Sequence, residues 1–169
     1  MTMNASGAGS WTIREATRAD LPALGRLGAQ MVEAHYAFDR ERFMHPAGIE
    51  DGYARFLGTQ LSNPDAILLV AEVDGRVAGY VYAAVEAQSW QELRDEAGYI
   101  HDVVVDDPAR GLGIGAALVD AAVAWLRDRG MLRVLLWTAA LNTRARDLFA
   151  RLGFRNTMVE MTRELTVKS

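Results

Sequence analysis

Residues 103–118 read V-V-V-D-D-P-A-R-G-L-G-I-G-A-A-L, and they constrain the fold more than any other stretch. The β-branched run Val103, Val104, Val105 has the pattern of a buried strand. Asp106, Asp107 and Pro108 mark a turn. Arg110, Gly111, Gly113 and Gly115 follow, and an apolar helical repeat begins behind them. Strand, glycine-rich loop and helix in that order aim backbone N–H groups at a helix N-terminus, where an anionic phosphate binds. Glycine lets a ligand approach the main chain because no Cβ stands in the way. Arg110 adds a forked set of donors suited to phosphate.

The rest of the chain has to build a sheet around this unit. Its 169 residues suit one domain with a sizeable core. The net charge of -4 argues against binding nucleic acid or an anionic membrane, both of which require a basic face. The absence of cysteine excludes disulfides, thiolate nucleophiles and cysteine metal sites. No stretch has the length and apolarity of a membrane span. The first ten residues lack a basic start and an apolar run, so a cytoplasmic protein is expected. Residues 1–10 are small and polar and are expected to be a disordered tail, with a single domain over 11–169.

Hydrophobic periodicity orders the elements. Residues 11–15 alternate as a short strand. Thr17 and Asp20 resemble a capping box ahead of a helix over 19–37, whose apolar residues include Leu24, Leu27 and Met31. A loop leads to a second helix over 49–61. Strands are expected over 66–73 and 76–85, joined by Asp74-Gly75, a type I′ hairpin signal. A polar loop precedes a strand over 98–105, and the glycine loop opens a helix over 113–129. A strand over 132–138, a helix over 142–152 and a last strand over 154–165 complete the chain. The hairpin demands antiparallel pairing, and the strand–helix–strand unit at 99–138 demands a right-handed parallel crossover. The expected fold is therefore a mixed sheet in an α/β (α+β) domain.

Three phosphate-binding readings compete. A Walker loop requires Gly-Lys-Ser/Thr, whereas Gly115 is followed by Ala116 and Ala117. A dinucleotide fingerprint fits Gly111, Gly113 and Ala116, but predicts an acid after the next strand, which ends Leu136-Trp137-Thr138. The third reading is a resemblance. R-G-L-G-I-G resembles the acyl-CoA loop of the GNAT superfamily of N-acetyltransferases, with Arg110, Gly113 and Gly115 on its pattern. N-T-R-A-R-D-L-F-A-R-L-G-F over 142–154 resembles the family's later motif. The opening I-R-E-A-T-R-A-D-L and the Asp-Gly hairpin also fall where the family has them. The resemblance covers nearly all of the chain after Ser10.

The resemblance implies a mostly antiparallel central sheet flanked by helices, with the parallel strands at 99–105 and 132–138 splayed at the CoA site. It implies transfer of an acetyl group from acetyl-CoA to a primary amine by direct attack in a ternary complex. A non-catalytic acyl-CoA-binding module is the alternative. Cofactor contacts fall to Val103, Val104 and Val105 for pantetheine, and to Arg110, Gly111, Leu112, Gly113, Ile114, Gly115 and Ala116 for the pyrophosphate. Asn142 is a helix cap that also reaches the cofactor. Phe149 stands where many members have a tyrosine proposed to protonate the leaving thiolate, and it has no proton to give.

A base must also take the acceptor's proton. His101 and Asp102 are the catalytic candidates. Alternation along a strand predicts that only one of them faces the cleft. Glu86, Glu96 and Tyr82 are weaker candidates. His35, Tyr36, Asp39 and His45 fall where the family often forms its acceptor pocket, and no metal site is expected from the two histidines. Trp90, Trp125 and Trp137 are expected to pack. Family members often dimerise, which leaves a homodimer open.

Overall fold

The computed structural model describes residues 3–5 and 10–165. Six strands form one sheet in the order β1-β2-β3-β4-β5-β6. They are β1 (Met3–Ala5), β2 (Trp11–Glu15), β3 (Ala66–Val73), β4 (Arg76–Glu86), β5 (Ala97–Val105) and β6 (Val134–Leu136). The first five pair antiparallel, and β5 with β6 is the single parallel pair of this sheet. Helices α1 (Leu21–Phe38) and α2 (Ile49–Gln60) lie on one face, and α3 (Ile114–Asp128) and α4 (Thr143–Arg151) on the other. No helix among the described residues is long and apolar enough to cross a membrane.

Alternation on the central strands builds two cores. Leu68, Val70, Tyr80, Tyr82, Ala84 and Val104 pack against Leu24, Leu27 and Leu57 of α1 and α2. Ile67, Leu69, Val81, Ala83 and Ile100 pack against Ile114, Leu118, Ala122 and Leu126 of α3. Strands buried on both faces read as the near-continuous apolar runs seen at 66–73 and 77–85. Asp74 and Gly75 both take positive φ, as a type I′ turn requires. Asp20 accepts from the Thr17 N–H (2.7 Å) and pairs with Arg14 through two hydrogen bonds (2.8 and 2.9 Å), which fixes the entry to α1.

Three expectations are corrected. Met3–Ala5 forms a strand against Trp11–Glu15 rather than a disordered tail, while residues 1, 2 and 6–9 of that tail lie outside the described residues. The strand expected over 132–138 shrinks to Val134–Leu136, because only Gly98, Tyr99 and Ile100 of β5 pair with it. The last strand expected over 154–165 does not form. Met158, Val159, Met161 and Leu165 stand exposed there, and no ladder takes up that backbone. Glu160 forms an ion pair with Arg42 instead.

Candidate active site

The short parallel pairing creates a fork. Pairing of β5 with β6 stops at Ile100, so residues 101–105 have no strand beside them on that edge among the described residues. β6 ends at Leu136. An extended amide-bearing ligand can add to such an edge.

The glycine loop sits at the end of β5. Asp107–Ala109 forms one 3₁₀ turn, and α3 then starts at Ile114 behind Gly113. Gly111 and Gly113 take φ of +86° and +79°, and a Cβ on either would meet no heavy atom within 4 Å. The main chain is therefore open above the helix start, as close approach of a phosphate requires. Arg110 donates from Nε to the Val105 carbonyl (3.2 Å) and pairs with Asp107. Its guanidinium thus ties the loop to the strand. Two further ties carry no sequence signal. The Trp11 indole donates to the Leu112 carbonyl (3.0 Å), and Asp106 binds Arg26 (3.0 Å) and Gln30 (3.3 Å) of α1.

The remaining donor-side residues divide into backbone and packing roles. Val104 is buried toward α1 and α2, whereas Val103 and Val105 pack partly against the α3 core. Ile114 is buried in that core, with Gly115 and Ala116 half-buried behind it. Asn142 caps α4 by accepting from the Ala145 N–H (3.1 Å). Phe149 is buried in the α3 core with Phe154 against its ring (centroids 5.8 Å).

His101 and Asp102 both face α1 and α2, which corrects the expectation that only one would. The register slips between Tyr82 and Ala83: Tyr82 pairs with Asp102 and Ala83 with Ile100. His101 is the extra residue of this β-bulge, which re-aims side chains next to it. Its ring lies between Tyr82 and Tyr99, stacked on both at 4.7 Å. Nε2 is 2.9 Å from Glu86 Oε1, and the side chain is 30% exposed. A carboxylate partner requires the proton on Nε2, which leaves Nδ1 as the acceptor. Burial between the rings lowers the pKa of His101 below the ordinary value, against the opposing pull of Glu86.

Asp102 lies deeper, at 8% exposure. Burial raises its carboxyl to about 6, while hydrogen bonds from Tyr80 and Tyr53 pull the other way. The Tyr80 hydroxyl donates to Asp102 Oδ2 at 3.1 Å. Asp102 is thus an enclosed carboxyl that holds its proton to higher pH than a solvated one, and His101 is the group with a free acceptor nitrogen at the fork.

The last turn of α1 and the segment after it are engaged elsewhere. His35 Nδ1 lies 2.8 Å from the Met31 carbonyl, His45 Nε2 lies 2.7 Å from Glu33, and the Tyr36 and His45 rings meet at 4.7 Å. Asp39 accepts from the N–H groups of Glu41 and Arg42. Among the tryptophans, Trp125 packs on the α3 core, but Trp90 and Trp137 are exposed, contrary to expectation.

The model of the acetyltransferase (GNAT) family matches residues 29–154. Over 98 residues the chain is 43% identical to a mycothiol acetyltransferase of Cellulomonas flavigena, covering 55% of this chain but only 28% of that protein. It is 31% identical over 145 residues to an uncharacterized N-acetyltransferase of Archaeoglobus fulgidus, covering 85% of this chain and 92% of the relative. A predicted acetyltransferase from Clostridium acetobutylicum, solved with acetyl-CoA, shares the fold at a TM-score of 0.70 and 18% identity, over 90% of this chain and 96% of that one. With three quarters of its length on the family model and its parallel strands forked beside a glycine loop, the chain belongs to the acetyltransferase (GNAT) family.

Proposed function

We propose that this chain transfers an acetyl group from acetyl-CoA to a primary amine, in a ternary complex and without an acyl-enzyme. The observation that carries the reading is the unpaired edge of β5 over 101–105, which ends at the open main chain of Gly111 and Gly113. In this reading pantetheine runs along Val103, Val104 and Val105. The pyrophosphate takes the amides of Gly111, Leu112, Gly113, Ile114, Gly115 and Ala116 at the start of α3. Arg110 orders the loop that presents them, and Asn142 sets the start of α4 beside it.

The acceptor nitrogen attacks the thioester carbonyl, the C–S bond breaks, and CoA leaves as thiolate. Before the attack His101 takes a proton at Nδ1 from the acceptor ammonium, with Glu86 holding the ring through Nε2, and the second proton that the nitrogen sheds on forming the amide passes to water. A main-chain N–H near Val104 or Val105 polarises the carbonyl. Phe149 shapes the wall and donates nothing, so the thiolate takes its proton from water or leaves without one. Calorimetric titration of the full chain with acetyl-CoA tests the donor site. Binding is expected, and it weakens for S-acetylpantetheine, which lacks the pyrophosphate. Absence of any acetyl-CoA binding overturns the reading.

A further inference from the structure

A row of aromatic rings crosses the fork on the α1 and α2 side. Phe56 of α2 meets Tyr82 of β4 edge to face (centroids 5.8 Å, planes at 82°). Tyr82 stacks on His101 at 20° and His101 on Tyr99 at 21°. Tyr99 then meets Trp137 edge to face (6.0 Å, 80°). Trp137 directly follows β6, so it stands on the arm of the fork opposite His101. Both ends of the row are open, with Phe56 44% and Trp137 70% exposed.

The charge along the row is negative. Glu86, 39% exposed, reaches His101, and Asp102 lies below. Arg94, the cation that acts on Tyr99, is occupied by Glu92 and by the carbonyls of Glu86, Ala87 and Asp95. The hydroxyl of Tyr82 is already bonded to Gln60 (3.2 Å). A polyhydroxylated acceptor would leave its own polar groups short of partners here, and unpaired polar groups are heavily penalised. A flat ring carrying an ammonium matches both features, since aromatic faces attract rings and cations alike.

We infer that the acceptor is an arylalkylamine: a primary amine on a flat aromatic body, its ring against Trp137 and its nitrogen at Nδ1 of His101, in the negative field of Glu86 and Asp102. Trp137 is a specificity-determining residue in this arrangement. The inference rests on the acetyl-transfer reading.

The test measures CoA release by the full chain at saturating acetyl-CoA. The acceptors are 2-phenylethylamine, 2-cyclohexylethylamine of similar size, glucosamine, and a peptide with a free N-terminus. The expected kcat/KM for 2-phenylethylamine is about threefold to tenfold above 2-cyclohexylethylamine and at least about tenfold above glucosamine and the peptide. Trp137→Ala raises the KM for 2-phenylethylamine about tenfold with the KM for acetyl-CoA little changed, and Trp137→Phe restores most of the loss. Equal kcat/KM for the phenyl and cyclohexyl amines overturns the inference. So does preference for glucosamine or the peptide, an unchanged KM in Trp137→Ala, or CoA release with none of the four. Where another of the amines is preferred, acetyl-CoA still binds and the acetyl-transfer reading survives, whereas binding with no CoA release from any of the four leaves only the donor site standing. Failure to bind acetyl-CoA removes both together.

Discussion

At the scale of single residues, the bulge decides the chemistry. It places His101 in a sandwich of two tyrosines and Asp102 in a pocket beneath, so the two titratable groups of the site sit in different surroundings. His101 works as a base only when neutral, and its pKa lies below the ordinary 6.5. The acid limb of kcat/KM is therefore expected to break below pH 6.5, with activity holding as pH falls from 7.5 toward that point. His101→Gln should lower kcat by about 10² and flatten the limb, as removal of a general base does. A limb that survives in His101→Gln with kcat intact assigns the base elsewhere. Asp102 gives a second test, read in stability. Its pKa is 3.8 when solvated and about 6 when folded, so the native state holds its proton to higher pH. Wild-type stability should fall as pH rises from 4 to 6.5, by at most ~3 kcal/mol. Asp102→Asn retains an acceptor for Tyr80 and cannot ionise. Urea unfolding at several pH values should show the variant gaining on wild type across that window, and parallel curves would refute the assignment.

At the scale of elements, α1 and α2 sit unusually close. A Cβ at Gly28 would lie 2.3 Å from Cδ1 of Tyr53, the α2 ring that reaches Asp102. Gly28→Ala must therefore push Tyr53 aside. We expect a loss of ~1–3 kcal/mol in denaturant unfolding, the usual result of overpacking. We also expect a lower kcat, because Tyr53 acts on Asp102 beside His101. An unchanged kcat would show that Tyr53 has no part in setting the carboxyl. None of this was legible from spacing alone. Apolar periodicity located α1, α2, β3, β4 and α3 to within a few residues, because each buries a regular stripe. The bulge at His101 was invisible, since an extra residue in a ladder is defined by its partner strand and leaves no mark of its own. The last strand failed for the same reason. Met158, Val159 and Met161 have strand composition, but pairing requires an edge at the right place, and β6 is three residues long.

At the scale of the whole molecule, the glycine loop was readable because its chemistry is local: strand, turn and helix start are contiguous, and Gly111 and Gly113 adopt the positive φ that only glycine accepts easily. The acceptor side was not readable, because Phe56, Tyr82, Tyr99, His101 and Trp137 come from four separate parts of the chain and meet only through the sheet. The same division predicts how the folded state responds to the donor. The β5 edge and the loop are tied to distant elements through Trp11–Leu112 and Arg26–Asp106, so they exist as a binding surface only in the native state. A ligand that binds there and not to the unfolded chain stabilises the fold by mass action. At 100 times its Kd, acetyl-CoA should contribute ~2.7 kcal/mol. For a chain of this length that raises Tm by roughly 5–10 °C. Hydrogen exchange should localise the effect: amides over 101–105 and 111–116 slow strongly, and those of β2 and β3 only by the general gain. A Tm that does not move with acetyl-CoA would mean that the open edge and the open loop do not form one site. A rise in Tm with protection confined to 87–96 would place the ligand on the loop between β4 and β5 instead.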